Sequence, residues 1–222
     1  IANGIDFDLW QATDADRLRA RELRNAGFAA APEAAAGGTR VFGMFGHLKA
    51  KKGARFFFDA ARMSDVHFLL AGEIDDELPT DLAVTHVATV DRYDLIPYYL
   101  ACDFVVLPSH YDGFPNVLIE AASLARPLIA SNVGGMRDLL ADGESALLFE
   151  PGDEHECRRA IARACAMSDD AIAAMGARAE RAARERCDAR NEARRYIEVL
   201  QQTGGIADAP SAATRFASRL VP

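Results

Sequence analysis

Apolar positions in this chain follow two rhythms. Short apolar runs alternate with stretches of ten or so residues whose apolar positions recur at helical spacing. The runs are Val41–Phe45, His67–Ala71, Val84–Val90, Phe104–Leu107, Pro127–Ala130 and Ala146–Phe149. The stretches between them predict helices over Lys52–Met63, Asp94–Cys102, Asn116–Ala125 and Gly135–Ala141. Ahead of the first run, Ala12–Asn25 reads as a helix, with Asp14 and Asp16 in its first turn and Gly27 past its end. The Ala/Pro/Gly stretch Ala29–Gly38 reads as a loop. Beyond the last run, Asp153–Ala166 and Asp170–Gln202 are helix-forming and rich in Ala, Arg and Glu. Their charge mixture reads as solvated i,i+4 pairs on packing helices.

Short β-rich runs separated by helices imply βαβ units and a parallel sheet. The expected fold is α/β: a doubly wound, Rossmann-like domain of about six parallel strands in the order 3-2-1-4-5-6, with extra C-terminal helices. Phe104-Val105-Val106-Leu107 is apolar at every position, as a strand covered on both faces must be. Residues 1–11 read as a connector ending in a turn, 12–202 as the domain, and 203–222 as a tail that is mobile unless another domain holds it. No internal repeat is present.

Composition narrows the functional classes. The chain has 222 residues, half of them hydrophobic, and 25 basic against 33 acidic side chains give a net charge of −8. This is an ordinary globular profile, which excludes wholesale disorder and a nucleic-acid binder working through bulk positive charge. No apolar run approaches the length of a spanning helix, and no signal peptide opens the chain. Cys102, Cys157, Cys165 and Cys187 form no CxxC pair and no zinc-like spacing with the histidines, so they read as free thiols in a reducing compartment and no metal site is expected. The chain opens on Ile1-Ala2-Asn3-Gly4 without Met, which suggests a piece of a longer protein.

In a doubly wound sheet the ligand sits outside the carboxyl ends of the strands, where the strand order reverses. Two loops qualify. The loop after the first run reads Gly46-His47-Leu48-Lys49-Ala50-Lys51-Lys52-Gly53, neither GxGxxG nor a P-loop, but basic, with Lys52 at the mouth of the next helix. The loop after the fourth run reads Pro108-Ser109-His110-Tyr111-Asp112-Gly113-Phe114-Pro115. Pro115 suits a first helical position, which makes Phe114 an N-cap with no oxygen to cap with. The amides of Asn116 and Val117 are then available to a phosphate or a sugar oxygen. Glu120, a turn into that helix, offers two acceptor oxygens to vicinal hydroxyls, and Asp112 just outside offers two more. A third loop, Ser131-Asn132-Val133-Gly134-Gly135, lets backbone approach a ligand or is a plain turn.

These residues resemble a known family. From Asn3-Gly4-Ile5-Asp6 to about Leu200, and most specifically in "PSHYDGFPNVLIEAASLARPLIASNVGGMRDLL" and "DGESALLFEPGD", the chain is similar to the C-terminal, donor-binding half of GT-B glycosyltransferases of family 4. Asp112 and Glu120, eight residues apart, match that family's E-x7-E motif. The resemblance implies that Lys52 holds the donor diphosphate, Glu120 the ribose, and Asp112 the donor sugar. It implies that Gly113, Phe114, Asn116 and Val117 lie along sugar and phosphate, that Val90 lodges the base, and that Gly46, His47, Gly134 and Gly135 line the donor. Three departures stand out: His47 replaces a usual Arg, and Asp112 and Asp138 replace usual Glu. Histidine lacks the permanent charge and bidentate fork of arginine, so diphosphate neutralisation is expected to be weaker or pH-dependent.

The activity implied is retaining transfer of a sugar from a UDP- or GDP-type nucleoside diphosphate sugar, with no cofactor, in cell-surface polysaccharide biosynthesis. The implied setting is the cytoplasm or the inner face of the membrane. An N-terminal acceptor-binding domain is the implied partner, any peripheral membrane contact lies in that domain, and this half alone is inactive in transfer. The alternatives are a nucleotide-sugar-binding module without catalysis and a GT-B nucleotide-sugar epimerase.

Overall fold

The computed structural model describes residues 3–27, 39–75, 77–88 and 91–202. The loop expected over Ala29–Gly38, the tail over 203–222 and Val90 lie outside the described residues. In chain order the elements are α1 (Asp14–Gly27), β1 (Arg40–Phe45), α2 (Ala54–Ala61), β2 (Val66–Ala71), β3 (Ala83–Val87), α3 (Ile96–Ala101) and β4 (Phe104–Leu107). Then follow α4 (Asn116–Ser123), β5 (Leu128–Ser131), α5 (Gly134–Leu139), β6 (Ala146–Phe149), α6 (Glu154–Ala166), α7 (Asp169–Arg186) and α8 (Ala189–Gln202).

The strands form one parallel sheet in the order β3-β2-β1-β4-β5-β6. This is the expected doubly wound arrangement. Successive side chains on a strand point to opposite faces, and the core divides accordingly. Val41, Phe45, Leu69, Val105 and Leu128 face a layer built from α1, α3, α4, α5 and α7. Phe42, Met44, Phe68, Leu70, Phe104 and Ile129 face a layer built chiefly from α2 and α6. Phe42 is the hub of the second layer, with its ring 6.2 Å from Phe57, 6.3 Å from Phe68 and 6.0 Å from Phe104, all edge-on.

Several boundaries differ from the sequence expectation, each for a local reason. The helix expected from Lys52 begins at Ala54, because Ala50–Lys52 close a 3-10 turn that ends on Gly53 in the left-handed region, φ 70°. A second 3-10 turn, Tyr93–Leu95, precedes α3. Pro115 is not the first residue of α4 but its N-cap, in extended backbone, so Phe114 lies outside the helix. The third strand runs over Ala83–Val87 rather than to Val90. The long helix expected over Asp170–Gln202 is broken into α7 and α8. The break is bridged by the N-terminal segment: Ile5 N–H donates to the Cys187 carbonyl at 2.8 Å, and Ala189 N–H donates to the Ile5 carbonyl at 3.0 Å.

The described part of that segment packs on the domain. Ile5, Phe7 and Trp10 are buried in the same layer as α4 and α7. Thr13 and Asp16 form a reciprocal cap at the start of α1. Asp103, just before β4, accepts from Val41 N–H at 2.7 Å and from the Arg24 guanidinium, tying α1 to the sheet.

Phe42→Ala is expected to destabilise the domain by about 3–5 kcal/mol, because it opens a cavity where four rings meet. Urea unfolding with an unchanged m-value is the measurement. A loss under about 1 kcal/mol would show that the hub repacks.

Candidate functional site

β1 and β4 are neighbours, and the loops that leave their carboxyl ends meet, as the strand order requires. Gly53 sits directly against the Pro108 carbonyl, so close that any side chain there would collide with it. His110 N–H donates to the Lys51 carbonyl at 3.1 Å. Across this join the Lys52 ammonium donates to Asp112 Oδ2 at 2.5 Å, and Ser109 Oγ lies 3.5 Å from the same oxygen. Lys52 and Asp112 are both part-buried, at 30% and 16% side-chain exposure, so solvent screens the pair only partly.

The third loop joins them. Gly134 adopts φ 45° with its Cα against the Asp112 carbonyl, and Gly135 packs against the Phe114 ring while its N–H donates to the Gly113 carbonyl. Side chains at either position would push the 112–114 segment away. The glycine pair therefore holds the Asp112 loop in place by close backbone approach. Asn3 reaches the same turn from the N-terminal segment: its Nδ2 donates to the Phe114 carbonyl at 2.9 Å and to Asn116 Oδ1 at 3.2 Å.

The helices that open onto this crevice are uncapped. The N-caps of α2, α4 and α5 are Gly53, Pro115 and Val133, and none makes a side-chain capping bond. By contrast Asp153 and Ser168 cap α6 and α7. The first-turn amides of α4, at Asn116 and Val117, are thus left without a capping side chain, as the sequence implied.

Glu120 lies deeper than its position in the sequence suggests, with its side chain 8% exposed. Oε1 accepts from Arg92 Nε at 2.9 Å and Oε2 accepts from the Tyr99 hydroxyl at 2.8 Å. Each oxygen keeps one lone pair for a further donor. Trp10 Nε1–H donates to the Glu120 backbone carbonyl at 3.1 Å, and the Arg92 guanidinium lies over the Trp10 ring, 5.2 Å from its centroid. Tyr99 is fully buried and stacks on Phe45 at 3.8 Å. Burial first, and the adjacent Glu120 carboxylate second, push its hydroxyl pKa well above the ordinary tyrosine value.

His47 lies at the start of the first loop, half-exposed. Its Nδ1 is 3.3 Å from Glu73 Oε2 and its Nε2 contacts Asp75 Oδ1. Both ring nitrogens face carboxylates on the strand-2 loop rather than the crevice between β1 and β4. Gly46, with φ 89°, turns the chain into this loop. Asp138 is held through its carbonyl by Arg186.

The structure therefore gathers Lys52, Asp112, Gly113, Phe114, Asn116, Gly134 and Gly135 where the three loops meet, while Glu120, a turn into α4, is held by Arg92 and Tyr99. Sequence reasoning missed Arg92, Tyr99, Trp10 and Asn3. Trp10 and Tyr99 carried a faint signal, since aromatic side chains with polar tips in apolar segments need a buried partner. Arg92 carried none, because its partner is 28 residues away in the chain.

Residues 39–167 match the family model described as "Glycosyl transferases group 1". An uncharacterized glycosyltransferase of Methanocaldococcus jannaschii is 29% identical over 131 residues, covering 54% of this chain and 37% of that protein. A D-inositol 3-phosphate glycosyltransferase of Corynebacterium urealyticum is 26% identical over 183 residues, covering 73% of this chain and 43% of that protein. The chain thus spans less than half the length of these curated relatives. Among solved structures, HepE of Anabaena in complex with UDP superposes with a TM-score of 0.74 at 24% identity, covering 90% of this chain and 56% of that one. At that identity the likeness concerns the fold: both have the Rossmann-like architecture of GT-B glycosyltransferases.

The raised Tyr99 pKa makes a signed prediction. Tyr99 stabilises the native state as long as its hydroxyl stays protonated. That contribution is complete below the unfolded tyrosine pKa near ~10 and is lost as pH rises from there through the folded value. Tyr99→Phe is expected to cost about 1–2 kcal/mol at pH 7 by removing the bond to Glu120. The gap between wild type and variant should narrow above pH ~10. Urea unfolding at pH 7 and at about pH 10.5 measures it, and a gap that widens with pH would contradict the assignment.

Proposed function

Since the chain belongs to the group 1 glycosyl transferases, we propose that it is the donor-binding, C-terminal half of a retaining family 4 enzyme that transfers a hexosyl unit from a nucleoside diphosphate sugar. One observation carries the reading. At the point where strand order reverses, Lys52 and Asp112 meet beside the uncapped mouth of α4, and Glu120 lies a turn into that helix with Arg92 and Tyr99 on its oxygens. A diphosphate needs cationic and N–H donors, a ribose needs a carboxylate, and this crevice holds both kinds of group.

Lys52 and the Asn116 and Val117 amides take the diphosphate and stabilise charge as it develops on the leaving group. Glu120 takes the ribose hydroxyls with its free lone pairs, held rigid by Arg92 and Tyr99. Asp112 and the backbone of Gly113, Phe114, Gly134 and Gly135 face the donor sugar. His47, engaged with Glu73 and Asp75, adds little to diphosphate neutralisation, so Lys52 carries more of it than the lysine does where an arginine accompanies it. UDP- and GDP-sugars are the donors we favour, and the UDP in HepE supports that class. An N-terminal domain supplies the acceptor site in the whole protein, in keeping with relatives more than twice the matched length. The setting we propose is the cytoplasm or the inner face of the membrane, in cell-surface polysaccharide synthesis. No helix among the described residues is long and apolar enough to cross a membrane.

Calorimetry of this chain with UDP, GDP and ADP tests the reading directly. One of the three is expected to bind, and Lys52→Ala to weaken it about tenfold or more, with circular dichroism showing that the variant is folded. Failure of all three to bind would overturn the donor-site reading. A second experiment isolates Glu120. Glu120→Gln is expected to weaken the ribonucleoside diphosphate about tenfold and its 2′,3′-dideoxy analogue less than about threefold. Equal losses would remove the ribose role.

A further inference from the structure

Two groups that the donor reading assigns to different parts of one ligand are bonded to each other. Lys52 is assigned to the diphosphate and Asp112 to the sugar, yet the Lys52 ammonium donates to Asp112 Oδ2 at 2.5 Å. The pair is part-buried, at 30% and 16% side-chain exposure. Ser109 Oγ, in a residue itself buried, lies 3.5 Å from the same carboxylate oxygen and favours that position. The two side chains come from opposite sides of the crevice: Lys52 from the 3-10 turn ahead of α2, and Asp112 from the loop after β4. Gly134 and Gly135 hold the backbone of this loop in place, so the exchange asks only the Asp112 side chain to leave the ammonium. A phosphate oxygen that reaches Lys52 Nζ meets a carboxylate already seated there. Two anions compete for one cation.

We propose that Asp112 is the exchangeable counter-ion of Lys52. It holds the ammonium in the empty site, yields it to the nucleoside diphosphate, and takes it back as the nucleotide leaves. This inference rests on the donor-site reading and adds a role for Asp112 that the reading does not contain. Its consequence is counter-intuitive for a residue of the binding crevice. Removing the charge of Asp112 tightens the nucleoside diphosphate instead of weakening it, because the ligand no longer displaces a competitor. The effect runs through Lys52 alone and depends on charge, so it vanishes without Lys52 and shrinks with salt.

The test is a double-mutant cycle read by calorimetry with UDP, GDP or ADP, whichever wild type binds best. The proteins are wild type, Asp112→Asn, Lys52→Met and the double variant, with the parent nucleoside as a ligand lacking phosphate. Asp112→Ala is run beside Asp112→Asn, and circular dichroism confirms that each protein is folded. The expected result is a diphosphate bound about fivefold tighter or more by Asp112→Asn, at low salt, with the nucleoside unchanged. In the Lys52→Met background the Asp112 substitution is expected to change affinity less than about twofold. Equal or weaker diphosphate binding by both Asp112 variants, with wild type binding normally, overturns the exchange and leaves the donor reading standing. Tightening that persists without Lys52 also overturns it, since general removal of negative charge then accounts for the effect. No binding by any of the four proteins overturns the donor reading and the inference together.

Discussion

β1 hydrogen-bonds to β2 on one side and to β4 on the other, and the chain leaving each of the two central strands goes to a different face of the sheet. α2, after β1, packs into the layer around Phe42 and Phe57, whereas α4, after β4, packs into the layer that holds Trp10 and Tyr99. The two loops must part above the sheet, and the crevice is the space this parting leaves. Its position thus follows from topology, before any polar residue is considered. What the side chains add is closure at its floor, where Gly53 meets Pro108 and Gly134 meets Asp112 without room for a Cβ between them.

The charged side chains proposed to meet the donor are paired within the protein. Lys52 faces Asp112 and Arg92 faces Glu120, while outside the crevice His47 faces Glu73 and Asp75. A part-buried cation without a partner is costly, and so is a buried carboxylate without a donor. Pairing each within the protein keeps the empty site stable. Under the proposed exchange, an incoming anion would gain only the difference between its own contacts and those it replaces, and affinity would not be the sum of the contacts the ligand makes.

The sheet order and the two switch-point loops were legible in the sequence because they rest on local rhythm. Phe104–Leu107 reads as a strand buried on both faces, and it is one. The meeting of Lys52 with Asp112 was legible only as shared location, since the bond itself depends on side-chain reach across 60 residues of chain. The helix start at Lys52 was misread, because a left-handed glycine delays it to Ala54, and Pro115 is the N-cap of α4 rather than its first residue, although the start at Asn116 is as expected. The break between α7 and α8 was invisible: nothing at Cys187-Asp188 forbids a helix, and the interruption comes from Ile5 hydrogen-bonding across it. Arg92 was out of reach for the same reason, because its partner is chosen by the fold and not by its neighbours.

The N-terminal segment shows why the two acids cannot be equivalent. Trp10 holds the Glu120 backbone, while Arg92 and Tyr99 hold its carboxylate, so this acid is fixed by three donors from three separate parts of the chain. Asp112 has one strong partner, stands next to a glycine with open space, and depends on a loop kept in place by close backbone contacts from Gly134 and by Asn3 at the following turn. A fixed acid suits a part of a ligand that must be recognised the same way each time. A lightly held acid suits a part whose arrival and departure must not be slow. The two carboxylates, eight residues apart on one loop and helix, therefore differ in how they are held. The difference originates in burial: the side chain that the helix turns inward collects an arginine and a tyrosine, and the one left on the loop pairs with Lys52, with Ser109 at the edge of reach.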